Sequence, residues 1–383
     1  MNILGIETSC DETAASVIEG EGDKVRVLSN VVSSQIEIHQ KYGGVVPEVA
    51  AREHVFNILP VVNEALIRAG MDAMSLRGVQ RRGNLKSSAI NQRSPRFLRS
   101  LAMTRLDAIA VTVGPGLITS LQVGVETAKT LAYVWKLPVV AVNHIESHLY
   151  SNFIDRDKIE FPALILTVSG GHTILVLMRG HGKYKIIGET RDDAAGEAFD
   201  KAASLLGLGY PGGPAISREA AKFISIQNTQ PHPDPLLSQE RAKEIKLPRP
   251  MLESKDFDFS FSGLKTALLY QLKKDPNWQK RIPEYAYEFQ RAAVETLVGK
   301  TIRAAKQLPV KTVMLSGGVA ANTALRQELK EETEKLGLKF LMPELKYTTD
   351  NATMVAAAGY FKARRKKFTP WQKLATKVNW ELV

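Results

Sequence analysis

The chain has 383 residues, 44% of them apolar and 24% charged, a length and balance that suit two globular domains with sizeable cores. A single cysteine, Cys10, excludes an intramolecular disulfide, and no apolar run approaches the roughly 20 residues of a membrane helix. Lysine and arginine outnumber aspartate and glutamate by 51 to 40, and the formal charge of +11 points to a polyanionic partner. The N-terminus, "MNILGIETSC", reads as a strand from its second residue with no basic leader, so a cytoplasmic protein with no membrane partner is expected.

In chain order, "ILGIETSCDETAASVIEG" reads as a strand, a polar turn at Ser9 to Thr13, and a second strand. In "VPEVAAREHVFNILPVVNEALIRAG" the residues Val49, Val55, Ile58, Leu59, Val62 and Leu66 recur at helical spacing and predict one core-facing stripe. Between Asp72 and Asp107 there is no acid but eight bases: Arg77, Arg81, Arg82, Lys86, Arg93, Arg96, Arg99 and Arg105. That stretch is either a solvated loop or an RNA contact. The strand "LDAIAVTV", the loop "GPGL" and the helix "TSLQVGVETAKTLAYVW" follow, and the strand "LPVVAV" delivers "VNHIESHLYS".

The second half repeats this plan. "PALILTVSGGHTILVLMRG" is another strand, glycine turn and strand, and "KTVMLSGGVAANTALRQELK" parallels "AIAVTVGPGLITSLQVGVETAK". Between them, Asp200 is expected to open a helix that ends in the tight turn "YPGGP". A long polar excursion begins "SIQNTQPHPDPLL". A second basic cluster, Lys362, Arg364, Arg365, Lys366 and Lys367, closes the chain, again as a solvated face or an RNA contact. The repeated units suggest an internally duplicated α/β protein with a cleft between two lobes.

Four loops carry glycine or small polar residues directly after an apolar strand: "TSCDET", "GPGL", "SGGHT" and "SGGVAAN". Such loops let backbone N–H groups approach phosphate, and as a set they resemble the actin-like ATPase fold of sugar kinases and heat-shock chaperones. No G-x-x-x-x-G-K-[ST] loop and no well-placed G-x-G-x-x-G is present, which removes the P-loop and Rossmann readings. Asp200 could accept from ribose hydroxyls or a ligand amine, or be a dipole-stabilised carboxylate at a helix start.

Asn143 is a good N-cap, so His144 and His148 fall four apart on the first turns of a helix. They could share a metal with Asp350 of "YTTDNATM", or be a hydrogen-bonded pair without one. A zinc protease needs its basic glutamate directly after the first histidine; here that residue is Ile145, and Glu146 points elsewhere.

The segments "GIETSCDETAASV", "KYGGVVPEVAAREH", "VNHIESHL", "VSGGHT", "GEAFDKAASLLGLGYPGGP", "DFSFSGLKTAL", "SGGVAANTALR" and "TDNATMVA" span nearly the whole chain. Together they closely resemble the bacterial branch of the universal tRNA threonylcarbamoyltransferase family, formerly called O-sialoglycoprotein endopeptidases. The resemblance implies a duplicated actin-like ATPase (ASKHA) fold, with one lobe over 1–150 and another over 151–383. The last helix is free to pack back on the N-terminal lobe. It implies transfer of a threonylcarbamoyl group from threonylcarbamoyl-AMP to the N6 amine of adenosine 37 in tRNAs reading ANN codons, with release of AMP.

Carried over by residue, the family's metal ligands fall on His144, His148 and Asp350, with Fe(2+) as the ion and Zn(2+) as the alternative. The substrate loop falls on Thr167, Val168, Ser169, Gly170 and Gly171, with further adenylate contacts at Asp200, Gly213, Ser217 and Asn322. Asp11 and Glu12, on the first hairpin turn, are assigned a catalytic-support role. The implied partners are tRNA, a paralogous fold-mate subunit and a small ATPase subunit. Two features depart from the family: Ser217 stands where many relatives carry Asp, and about 30 extra basic residues occupy 73–105. That insertion is either disordered or a tRNA-binding arm. The rival functions are a non-catalytic, nucleotide-binding chaperone-like scaffold and a metallopeptidase.

Overall fold

The computed structural model describes residues 1–71, 105–156, 158–229 and 244–382. The basic insertion expected at 73–105 lies outside these residues except for Arg105, as do residues 230–243 of the polar excursion. The chain forms two compact units. The first comprises Met1–Gln35, Pro47–Lys158 and Asp350–Glu381; the second comprises Ile36–Val46, Ile159–Thr349 and the last two residues.

The first unit is built on a five-stranded sheet of β1 (Asn2–Glu7), β2 (Glu12–Glu21), β3 (Lys24–Ser34), β4 (Ala108–Gly114) and β5 (Val139–Asn143), in the order β3-β2-β1-β4-β5. The first three strands are an antiparallel meander, with Ile6 opposite Ala15, and β4 and β5 add in parallel, with Ile6 also beside Val111. Every residue of β1 and β4 is buried, as expected for central strands covered on both faces. One face, with Leu4, Ile6, Val111 and Val113, meets α2 (Pro47–Arg68) and α3 (Ile118–Trp135). The other face meets α10 (Ala352–Arg364) so closely that a Cβ on Gly5 would lie 2.3 Å from the Ala352 carbonyl oxygen. Glycine there is a packing requirement.

The helix α2 buries Ile58, Val62 and Leu66, but Val55 and Leu59 are 61% and 63% exposed. The single apolar stripe read from the sequence is therefore two stripes, and only one faces the sheet.

The second unit repeats the sheet with β6 (Ala163–Val168), β7 (Thr173–Gly180), β8 (Lys183–Glu189), β9 (Thr312–Ser316) and β10 (Lys339–Leu341). Its order, β10-β9-β6-β7-β8, and its strand senses match the first sheet position for position. The helices α5 (Ala195–Leu205), α6 (Gly212–Thr229), α7 (Ser262–Lys274), α8 (Ile282–Gln307) and α9 (Thr323–Lys335) complete it. The helix α6 runs on into "SIQNT", so the polar excursion begins as helix. Among the described residues, no helix is long and apolar enough to cross a membrane.

Candidate active site

The strand β5 ends at Asn143, whose side-chain oxygen accepts from the N–H groups of Ile145 and Glu146 and starts α4 (His144–Tyr150). The ring of Tyr150 stacks on Phe361 of α10, with centroids 5.0 Å apart and planes 20° from parallel, which sets α4 against α10. The second helix is started the same way: Asn351 accepts from the Met354 N–H, and Asp350 stands just before that cap. His144, His148 and Asp350 thus meet, each offering one ligand atom, with all three atoms within 4.8 Å of one another. His148 Nε2 lies 3.2 Å from Asp350 Oδ1 and His144 Nε2 3.6 Å from it.

His148 has no exposed surface, and neither of its ring nitrogens makes a hydrogen bond. The 3.2 Å approach of Nε2 to Asp350 is therefore close in distance but out of hydrogen-bond alignment, so the two groups converge on a point instead of bonding each other. An orphaned buried imidazole beside a second imidazole and a carboxylate is the donor set of a first-row divalent cation.

Behind His144 lies a residue the sequence reading passed over. Glu7, fully buried at the end of β1, accepts from the Ser9 N–H at 2.6 Å and from Thr112 Oγ1 at 2.7 Å. Its Oε2 is 3.2 Å from His144 Nδ1, and Ser9 Oγ is 3.1 Å from the same nitrogen. With Nδ1–H donating to Glu7, Nε2 on the Asp350 side is the nitrogen that can give up its proton and coordinate an ion. Burial opposes charging His144, but the charges of Asp350 and Glu7 outweigh it and raise the imidazole to about 9.

The β1–β2 turn is held from the other side by His54 of α2, Nε2 to the Cys10 carbonyl (3.0 Å) and Nδ1 to Thr13 Oγ1 (2.8 Å). It carries Asp11 and Glu12, both nearly buried. Burial, then the charges of Asp11 and Asp350, push Glu12 well above the usual carboxylate range. Burial and the same acids raise the Cys10 thiol, which removes it as a nucleophile. Glu146 is paired with Lys362 Nζ at 2.8 Å.

In the second unit the remaining residues fall into separate hydrogen-bonded groups. Thr167 Oγ1 is 2.8 Å from Ser316 Oγ across β6 and β9. The loop Val168, Ser169, Gly170, Gly171 follows β6, and the Ser169 carbonyl accepts from the Gly196 N–H in α5 at 3.2 Å. A Cβ on Gly196 would be 2.5 Å from that oxygen, whereas Gly170, Gly171 and Gly213 face open space. Asp200 lies in the middle of α5, not at its start, and accepts from the Gly212 N–H at 2.7 Å. It therefore fixes the turn into α6 and has no helix-dipole role. Ser217 Oγ donates to Gln290 Oε1 at 2.8 Å, and Asn322 Nδ2 donates to both, at 3.1 and 2.8 Å. Asn322 Oδ1 meanwhile caps α9. Gln290, in the middle of α8, gave no sign of this role in the sequence.

A profile of the family described as TsaD, tRNA N6-adenosine threonylcarbamoyltransferase, matches residues 26–80 and 98–357. The chain is 46% identical over 369 residues to the tRNA N6-adenosine threonylcarbamoyltransferase of Syntrophomonas wolfei subsp. wolfei, spanning 96% of this chain and 94% of that one. It is 47% identical over 364 residues to the protein of the same name from Dehalococcoides mccartyi, spanning 94% of each. Among solved structures, HypF of T. kodakarensis superposes with a TM-score of 0.56 at 13% identity, over 97% of this chain and 49% of that one. That likeness concerns the fold: together with the repeated strand order, it identifies the duplicated actin-like ATPase architecture.

Proposed function

The chain belongs to the tRNA N6-adenosine threonylcarbamoyltransferase family, and on that premise we propose that it moves the threonylcarbamoyl group of threonylcarbamoyl-AMP to the N6 amine of adenosine 37 in tRNAs reading ANN codons. The amine nitrogen forms a bond to the carbamoyl carbon, the bond from that carbon to the phosphate oxygen breaks, the amine gives up a proton, and AMP leaves. The observation that carries this reading is the convergence of His144, His148 and Asp350 in a chain this similar to named transferases.

In the first unit these three residues hold one divalent ion, Fe(2+) in our assignment; two imidazoles and a carboxylate suit Zn(2+) as well. When bound, the ion supplies Lewis acidity to the acyl transfer. Asp11 and Glu12, nearly buried on the β1–β2 turn, serve as the site's catalytic-support pair, with burial and the Asp11 charge raising the Glu12 carboxyl. In the second unit, the Thr167–Gly171 loop, Asp200, Gly213, Ser217 and Asn322 hold the adenylate, with backbone N–H groups for phosphate and Ser217 as a neutral hydroxyl for ribose. A peptidase reading has no support, because Ile145 occupies the position of the base and Glu146 is tied to Lys362.

A paralogous fold-mate is assigned to the groove of about 920 Å³ between α2 and α3, lined by Val55, Ile58, Leu59, Val123 and Leu131. A small ATPase subunit and a cytoplasmic setting complete the proposal. The test is incubation of the purified protein and its partner subunits with threonylcarbamoyl-adenylate and unmodified tRNA, with and without chelator. Threonylcarbamoyladenosine in the digested tRNA is expected; its absence would refute the transferase reading. A His144→Ala variant that keeps its metal and its activity would refute the site.

A further inference from the structure

After α10 the chain turns at Lys366, which has φ of 56°, and runs along the first unit's edge strand β5. The Thr369 N–H donates to the Val139 carbonyl at 2.8 Å, at the start of β5. Trp371 sits 5.3 Å from the ring of Tyr133 on α3, and Leu374 is buried in the core. The Lys377 N–H donates to Val113 O at 2.6 Å, and the Trp380 carbonyl accepts from Asn143 Nδ2 at 2.8 Å. Asn143 is the cap of the histidine helix, so the tail follows β5 from its first residue to the metal-bearing end. Five strand residues cover roughly 13 Å.

The five cations read from the sequence as one cluster divide in the structure. Lys362 is paired with Glu146, Arg364 with Asp23, and Arg365 is half-buried. Lys366 and Lys367 are exposed and form no ion pair among the described residues; Lys373 and Lys377 continue the row on the same terms. Glu381 is the sole acid after Asp350. The family profile ends at residue 357, so this row lies beyond it.

We propose that Lys366, Lys367, Lys373 and Lys377 form a track for the phosphate backbone of the tRNA substrate, leading towards the cap of the histidine helix. This rests on the transferase reading, which supplies the tRNA. A tRNA carries one phosphate charge per nucleotide, so four lysines in a row can neutralise about four backbone phosphates. Exposed Phe368 and Tyr133 flank the row and offer ring faces to an unpaired base.

The test compares the full-length wild type with Lys366→Ala/Lys367→Ala/Lys373→Ala/Lys377→Ala in tRNA binding across a salt series. A triple variant that retains Lys377 leaves its 4.6 Å contact with the Trp380 ring intact and guards against a folding artefact. We expect binding about tenfold weaker or more at low salt, and a plot of log affinity against log salt shallower by roughly three units for the quadruple variant. Four Lys→Arg replacements should restore both, and metal content should not change in any variant. Unchanged affinity and slope in variants whose parent binds tRNA overturns the track alone. A wild type that binds no tRNA in the presence of its partner subunits overturns the transferase reading with it. Variants that keep the tRNA slope but lose binding to a polyglutamate peptide would mark the row as protein-facing and also overturn the proposal.

Discussion

The fully buried Glu7 carboxylate accepts from Thr112 and the Ser9 N–H and faces His144 Nδ1, which leaves Nε2 as the nitrogen that can shed its proton to hold an ion. A Glu7→Gln variant keeps the shape but offers an NH2 group to Nδ1 and reverses that tautomer. Metal affinity should fall about 10- to 100-fold, read by competition with a chelating indicator; an unchanged affinity would show that Glu7 merely fills space. The same surroundings make the metal-free protein sensitive to pH. His144 is raised from 6.5 to about 9, so the folded state retains a proton that the unfolded chain releases above pH 6.5. Its contribution is therefore complete below pH 6.5 and lost as pH rises through about 9. Denaturant titrations of chelated protein should show stability falling across that window, by something of the order of 3 kcal/mol. A flat profile would contradict it. The histidines and Asp350 were legible because helix spacing and an Asn cap are local signals. Glu7 and Gln290 were not, since the site residues they hold, His144 for Glu7 and Asn322 for Gln290, lie 137 and 32 positions away in the chain.

The helix α2 shows where periodicity stops being informative. Apolar residues three and four apart define stripes, but not what covers them, and α2 turns Ile58, Val62 and Leu66 to the sheet while Val55, Phe56 and Leu59 face outward. Leu59→Asp should therefore leave the fold and metal content intact and weaken association with the fold-mate subunit more than about tenfold, measured by titration calorimetry. Loss of folding instead would place Leu59 in the core after all. The opposite face of α2 carries His54, which grips the Cys10–Thr13 turn. Asp200 is the converse case. Asp200 was expected to open a helix, yet α5 begins five residues earlier at Ala195, where Thr173 Oγ1 of β7 accepts the Ala195 N–H. No local pattern announces a cap supplied by a distant residue.

Across the chain, the duplication was visible as strand–loop–helix units, because both sheets place a glycine-rich turn after a buried strand. The third strand of each meander escaped notice: β3 and β8 alternate exposed and buried residues and lack the continuous apolar runs of β1 and β6. The proposed ion-binding residues all belong to the first unit, so chelation should loosen that unit selectively. Hydrogen exchange is expected to quicken in α4, the approach to α10 and the β1–β2 turn, with β6 to β8 unchanged. Equal acceleration in both sheets would argue against a resident ion in the first unit.

The helix that bears the two histidines and the helix that follows Asp350 occupy matching places in the duplication: α4 follows β5, and α10 follows β10, the last strand of each sheet in the chain, and each begins at an Asn cap. For a chain emerging from a ribosome, this sets a schedule. His144 and His148 appear about 200 residues before Asp350, an interval of roughly 10 to 40 s at ordinary rates of synthesis. Through that time β1 lacks the helix that closes against Gly5, and the two imidazoles lack their carboxylate. The candidate centre is thus completed only once Asp350 has emerged, about 200 residues behind its two histidines.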